Sequence, residues 1–127
     1  MFSIDGKSRV PIYEQIKNQI MEFILLGIFK PHEKLPSIRA LALDAGLNVN
    51  TVKHAFLDLE NSGVIYTLPG RGSFVDENAL SNEVMQKKAM NEVYDVIASA
   101  RAKGVSQEKI VDLIAKIYTN KGEDYNG

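Results

Sequence analysis

LPSIRALALDAGLNVNTVKHAFLDLENSGVIYTLPGRGSFV, Leu35 to Val75, is the stretch that decides the fold. Ser37 is a natural N-cap, because its hydroxyl can accept one of the N–H groups that a first helical turn leaves unpaired. Ile38, Leu41, Ala42 and Ala45 follow at helical spacing until Gly46 closes the segment. Asn48 caps a second helix on which Val52, Ala55, Phe56 and Leu59 share a narrow apolar arc, with Asn50, Lys53, His54 and Asn61 opposite and Gly63 at the end. Only Leu47 separates the closing glycine from the next cap, so the two helices must cross steeply. The β-formers Val64–Leu68 and Ser73–Val75 flank Pro69-Gly70-Arg71-Gly72, which predicts a hairpin with a slim tip carrying one cation. Two short helices across a tight turn, followed by such a hairpin, are the pattern of a winged helix-turn-helix.

Upstream, Val10-Pro11 opens a helix on which Ile12, Ile16, Ile20, Phe23 and Ile24 recur at helical spacing until Gly27. Proline suits a first helical position, since its missing N–H would be unpaired there. This helix is expected to be scaffold. Downstream, Asp76 to Asn82 is short, polar and weakly patterned, and reads as a junction. Met85, Ala89, Val93, Val96 and Ala100, flanked by Met90 and Ile97, then predict a helix of about five turns. Ala102-Lys103-Gly104-Val105 breaks it, and Ser106 caps a last helix with Ile110, Val111, Leu113, Ile114 and Ile117 apolar. The closing residues Lys121–Gly127 are expected to fray. The expected fold class is mainly α with a small β wing: a winged helix-turn-helix domain over 1–75, then a helical dimerisation region over 76–127.

Composition narrows the function. The chain has 127 residues, 45% apolar, and no cysteine, which excludes disulfides and thiolate chemistry. Its two histidines, His32 and His54, stand far apart in sequence, so no metal centre is expected, and no cofactor. No apolar run approaches the roughly 20 residues of a membrane span, and the start lacks the basic-then-apolar pattern of a signal peptide, so a cytoplasmic location without membrane contact is expected. No nucleophile–base constellation or phosphate-cradling loop marks an enzyme. Charge argues little for nucleic acid: residues 1–75 carry net +1 and residues 76–127 net −2. Any phosphate neutralisation must come from a few cations placed on one face.

Pro11-Ile12-Tyr13-Glu14-Gln15-Ile16, Leu35-Pro36-Ser37 with Arg39, Asn50-Thr51-Val52, Leu59-Glu60 with Gly63, and Gly70-Arg71-Gly72-Ser73-Phe74-Val75 together closely resemble the GntR family of bacterial transcription regulators. The short two-helix tail resembles its YtrA subfamily. The resemblance implies a dimeric repressor that binds a double-stranded operator with two half-sites, the recognition helix 48–62 in the major groove and the wing 64–75 at the minor groove. It implies that Ser37 and Arg39 belong to the DNA-binding residues, with Arg39 contacting the duplex. Asn50, Thr51 and Lys53 would read or position the duplex, and Arg71 and Gly72 would approach the minor groove. Val49 stands where the subfamily commonly has proline and the wider family arginine, which removes a base-reading cation.

Two apolar helices appended to a small domain need a partner surface, either the first domain or the same helices of a second copy. The homodimer is the expected arrangement, held by Met85, Ala89, Val93, Val96, Ile97, Ala100, Ile110, Leu113, Ile114 and Ile117, because linked heads gain affinity on two half-sites. An unidentified small-molecule effector, if one acts, is expected at the dimer interface or between the first domain and the Met85–Ala100 helix. The alternative is a winged-helix module that binds protein only. Salt-dependent DNA affinity separates the two, because counterion release is absent from most protein interfaces.

Overall fold

In the computed structural model, which describes residues 2–120, Pro11 stands just outside the first helix, α1 (Ile12–Leu25), as an extended cap. α1 buries Ile16, Ile20, Met21 and Ile24. Met21 is thus a core residue that the expected stripe left out, and Ile12 and Phe23 are only half-buried at its edge. Two glutamines on this helix hold the preceding chain. Gln19 accepts from the Ser3 N–H (2.9 Å) and donates back to the Ser3 carbonyl. Gln15 accepts from the Asp5 N–H (2.8 Å) and donates to the Asp5 and Val10 carbonyls (both 2.9 Å). Each amide matches the donor and acceptor of one residue, as a neighbouring strand would. Phe2, held there, meets Phe23 edge-on at 5.5 Å.

α2 (Ile38–Ala45) and α3 (Val49–Asn61) form where expected, and the wing is an antiparallel pair, β1 (Ile65–Leu68) and β2 (Gly72–Val75), with Ile65 opposite Val75 and Leu68 opposite Gly72. α3 packs on α1 and α2, and its buried residues are Val52, Ala55, Phe56 and Leu59, the predicted arc. Residues 32–35, expected to be loop between Pro31 and Pro36, cover the outer edge of β2. The His32 N–H donates to the Val75 carbonyl (2.8 Å), the Val75 N–H to the Glu33 carbonyl (3.0 Å), and the Leu35 N–H to the Ser73 carbonyl (2.8 Å). An edge that would otherwise expose unpaired backbone groups is thereby closed.

The chain divides between Lys88 and Ala89 into two compact units. The first, here called the head, therefore reaches beyond the expected boundary at residue 75. The segment read as a junction is a short 3₁₀ turn, Ala79–Ser81, with Ala79 buried in the head's core. Asn82 ties it to the end of α3, its amide donating to the Ser62 carbonyl at 2.8 Å. α4 (Glu83–Ala102) begins within the head, and Met85 is 0% exposed in the same core. Met85 is therefore corrected from dimerisation residue to core residue: its side chain is already fully covered within a single chain.

In the second unit, the remainder of α4 and α5 (Gln107–Asn120) bury no residue completely. Val93, Val96, Ile97, Ile114 and Ile117 are exposed, while Ala89, Ala100, Ile110 and Leu113 are half-buried. Met90, Val93, Tyr94, Ile97 and Ala98 line a groove of about 580 Å³ on α4. The closing residues 121–127, expected to fray, lie outside the described residues. No helix among the described residues is long and apolar enough to cross a membrane.

Truncating Met85 to alanine should remove packing from the head's core. The expected loss is about 2–5 kcal/mol of unfolding free energy in a urea titration, typical of a large buried side chain cut to alanine. An unchanged midpoint would show that the start of α4 is not part of the head.

Candidate nucleic-acid interface

The turn between α2 and α3 sets where the outward face of α3 points. Gly46 adopts φ 67, and as the left-handed cap of α2 its N–H reaches the Ala42 and Leu43 carbonyls. Two residues later, Asn48 Oδ1 accepts from the Asn50 N–H at 2.8 Å and starts α3. On α3, Asn50, Lys53, His54, Leu57 and Asn61 span an arc of roughly 100° opposite the buried stripe, by the helical period, and all five are exposed. Thr51 lies at the edge of that face, half-buried. The face offers amide, ammonium and imidazole groups, the chemistry that reads base edges and phosphates. Nothing in the structure explains Leu57 there, 46% exposed.

His54 has a role that periodicity did not reveal. Its ring stacks on Tyr13 of α1, centroids 3.9 Å apart, and its Nε2 lies 3.8 Å from Asp58. Asp58 also faces Lys17 of α1 at 3.7 Å, and Lys17 lies 3.5 Å from Glu14. This network braces α3 against α1 along one flank. A tyrosine in the first turn of α1 and a histidine in mid-α3 were the available signals, but their meeting depends on how the helices pack.

The wing is braced on α3 as well. Thr67 Oγ1 lies 3.2 Å from Glu60 Oε2 and 3.1 Å from Ser73 Oγ, a chain linking the end of α3 to both strands. Tyr66 stacks on Phe74 across the pair, and its hydroxyl lies 2.9 Å from His32 Nδ1. At the tip, Gly70 and Gly72 have φ of 74 and 119, a backbone that side chains rarely adopt, and Arg71 is exposed between them.

Between the wing, the start of α2 and Phe56 of α3 runs a groove of about 370 Å³, lined among others by Ser37, Arg71 and Gly72. The structure thus brings three of the expected site residues together there. Arg39, Asn50, Thr51 and Lys53 lie outside the groove, on α2 and α3. The groove has one cation the expected site lacked, Lys34. Ser37 Oγ accepts from the Ala40 N–H at 3.0 Å, so its hydroxyl serves α2 as a cap. Among the described residues, none of Lys34, Arg39, Lys53 and Arg71 makes an ion pair, whereas Lys17 on the braced flank has two carboxylates.

The model of the bacterial regulatory proteins of the gntR family matches residues 12–75, which run from the first residue of α1 to the last of the wing. The chain belongs to the gntR family. Like other members it is a winged helix-turn-helix protein, and it is similar along nearly its whole length to the HTH-type transcriptional repressor YtrA of Bacillus subtilis, 44% identical over 119 residues and covering 92% of each chain. A solved GntR family transcriptional regulator from Listeria monocytogenes superposes with a TM-score of 0.69 at 30% identity, over 89% of this chain and 98% of that one. The DNA-binding domain of AraR in complex with operator ORX1 superposes with a TM-score of 0.54 at 30% identity, over 57% of this chain and 92% of that one. These relatives are regulators of transcription rather than enzymes.

Because Ser37 caps α2, replacing it with alanine should lower stability by about 1 kcal/mol, while Ser37→Asn, which can accept the same N–H, should restore it. Thermal unfolding of the three proteins measures this. Equal stability of the alanine variant would show that the cap contributes nothing.

Proposed function

We propose that this chain is a dimeric, sequence-specific DNA-binding repressor of transcription that acts in the cytoplasm on a palindromic operator. The observation that carries the reading is the set of unpaired cations on the head. Lys53 on α3, Arg39 on α2 and Arg71 on the wing lack carboxylate partners among the described residues, so each can meet phosphate or a base edge without first breaking an ion pair. Placement on chosen elements achieves what a net charge of −1 over the whole chain could not. The likeness to the operator-bound AraR domain, which covers the same winged helix-turn-helix, supports placing α3 in a major groove with the wing beside it.

In this reading Asn50, Thr51 and Lys53 read or position the duplex from the first turns of α3, and Arg39 contacts it from α2. Arg71 reaches the minor groove, Gly72 keeps the tip thin, and Ser37, whose oxygen caps α2, keeps its own O–H to donate to a phosphate. Val93, Val96, Ile97, Ile114 and Ile117, exposed in a single chain, become covered when two copies pair, together with the half-buried Ala89, Ala100, Ile110 and Leu113. Paired heads then engage two half-sites at once. The groove on α4 is where a small-molecule effector would couple to pairing. No catalytic step and no cofactor belong to this function.

Selection of bound duplexes from a random pool should yield a palindrome with half-sites about one helical turn apart, and its affinity should fall steeply with salt. No enrichment at any salt concentration would favour the protein-binding alternative. On the selected duplex, Arg39→Ala and Arg71→Ala should each lose about 1–3 kcal/mol of binding while remaining dimeric. Full affinity in either variant would remove that residue from the interface. In sedimentation velocity, Val93→Glu with Ile114→Glu should run as a monomer that binds the palindrome weakly. A dimer in that double variant would place the interface elsewhere.

A further inference from the structure

We propose that Lys34 is a phosphate-binding residue of the DNA interface, an anchor between the helix-turn-helix and the wing; the proposal rests on the DNA-binding reading above. Three observations point to it. First, its backbone is fixed: Lys34 pairs with Phe74 of β2, and the flanking hydrogen bonds from His32, Val75 and Leu35 hold the segment to the wing at 2.8–3.0 Å. Second, the far end of its stem lies close against the backbone of Gly72. A Cβ on Gly72 would lie 2.9 Å from Lys34 Cε, so the aliphatic chain crosses the bare backbone of the wing tip's base. Third, the ammonium end is free. Lys34 is exposed, makes no ion pair among the described residues, and lines the same groove as Ser37 and Arg71.

A lysine normally loses much rotamer freedom when it grips a phosphate, and a stem already laid along Gly72 has less to lose. The ammonium is a point charge without the planar fork that reads guanine, so its natural target is a phosphate oxygen rather than a base. Lys34 therefore adds affinity and register, and Arg71, next to Gly72, works deeper at the tip. Gly72 itself is held to glycine by its φ of 119, and the lysine end lies beside it.

Lys34→Met keeps the stem and removes the charge, and Lys34→Arg keeps the charge. Affinity for the selected palindrome and for a scrambled duplex of equal length would be measured by fluorescence anisotropy across a salt series. Lys34→Met should bind both duplexes about fivefold more weakly near about 0.15 M salt, with the log–log salt slope shallower by about 0.9, the change expected for one lost phosphate contact. Lys34→Arg should recover the slope. A purely structural role would leave the slope unchanged, so Lys34→Met with the wild-type slope overturns the assignment while the DNA reading stands. A loss confined to the palindrome would also overturn it, showing a base contact instead. A wild-type protein that binds neither duplex overturns both readings together.

Discussion

Backbone geometry between Gly46 and Asn48 governs what the rest of the head can do. A left-handed glycine ends α2 and an asparagine side chain begins α3 two residues later, so the polypeptide has almost no freedom to vary the angle between the helices. Once that angle is fixed, burying Val52, Ala55, Phe56 and Leu59 against α1 and α2 leaves one outcome for Asn50 and Lys53: they project away from the core. The polar outward face of α3 is thus a by-product of capping and core packing, and neither polar residue needs a contact of its own to hold it in place.

The wing depends on a different constraint. A two-stranded hairpin alone is marginal in water, and here it is supported on two sides. Residues 32–35 complete its outer edge, and the Glu60–Thr67–Ser73 chain ties it to the end of α3. These supports belong to the elements that bracket the outward face of α3, so wing and helix form one body. The His54–Tyr13 stack and the Lys17–Asp58 pair do the same for the opposite flank of α3.

What the sequence disclosed followed the range of the interactions. The two caps at Ser37 and Asn48, the buried arc of α3 and the glycine-tipped hairpin are local, each set by residues within a few positions of one another, and all could be read from Leu35 to Val75. Misread features involve partners far apart in the chain. Met85 looked like part of a uniform apolar stripe because periodicity identifies a buried face without saying what buries it, and the head's core claims it before the second unit begins. Ala79 and Asn82 sat in a stretch too polar to suggest burial, yet one small side chain and one amide suffice to close the end of α3. The strand-like role of residues 32–35 was hidden by prolines on either side, which signal a loop but leave the four intervening residues free to pair. Gln15 and Gln19 carry no local pattern that marks a role, yet their amides bind the backbone of Ser3 and Asp5.

The same distinction explains why Lys34 escaped notice while Arg71 did not. An arginine between two glycines declares itself in three letters, because the flanking residues can only be a turn. Lys34 becomes notable through Gly72, 38 positions away, against whose backbone the end of its stem lies. Cations meant for phosphate need no sequence context, since a point charge on a stem can be supplied from any exposed segment that the fold brings alongside. What identifies such a cation is the packing that holds its stem and the lack of any carboxylate to neutralise it. By that criterion a nearly neutral chain can still present a basic face. The acidic residues of the head need not be few, provided that they are spent on neighbours such as Lys17 or on hydroxyls such as Thr67, away from the cations left free.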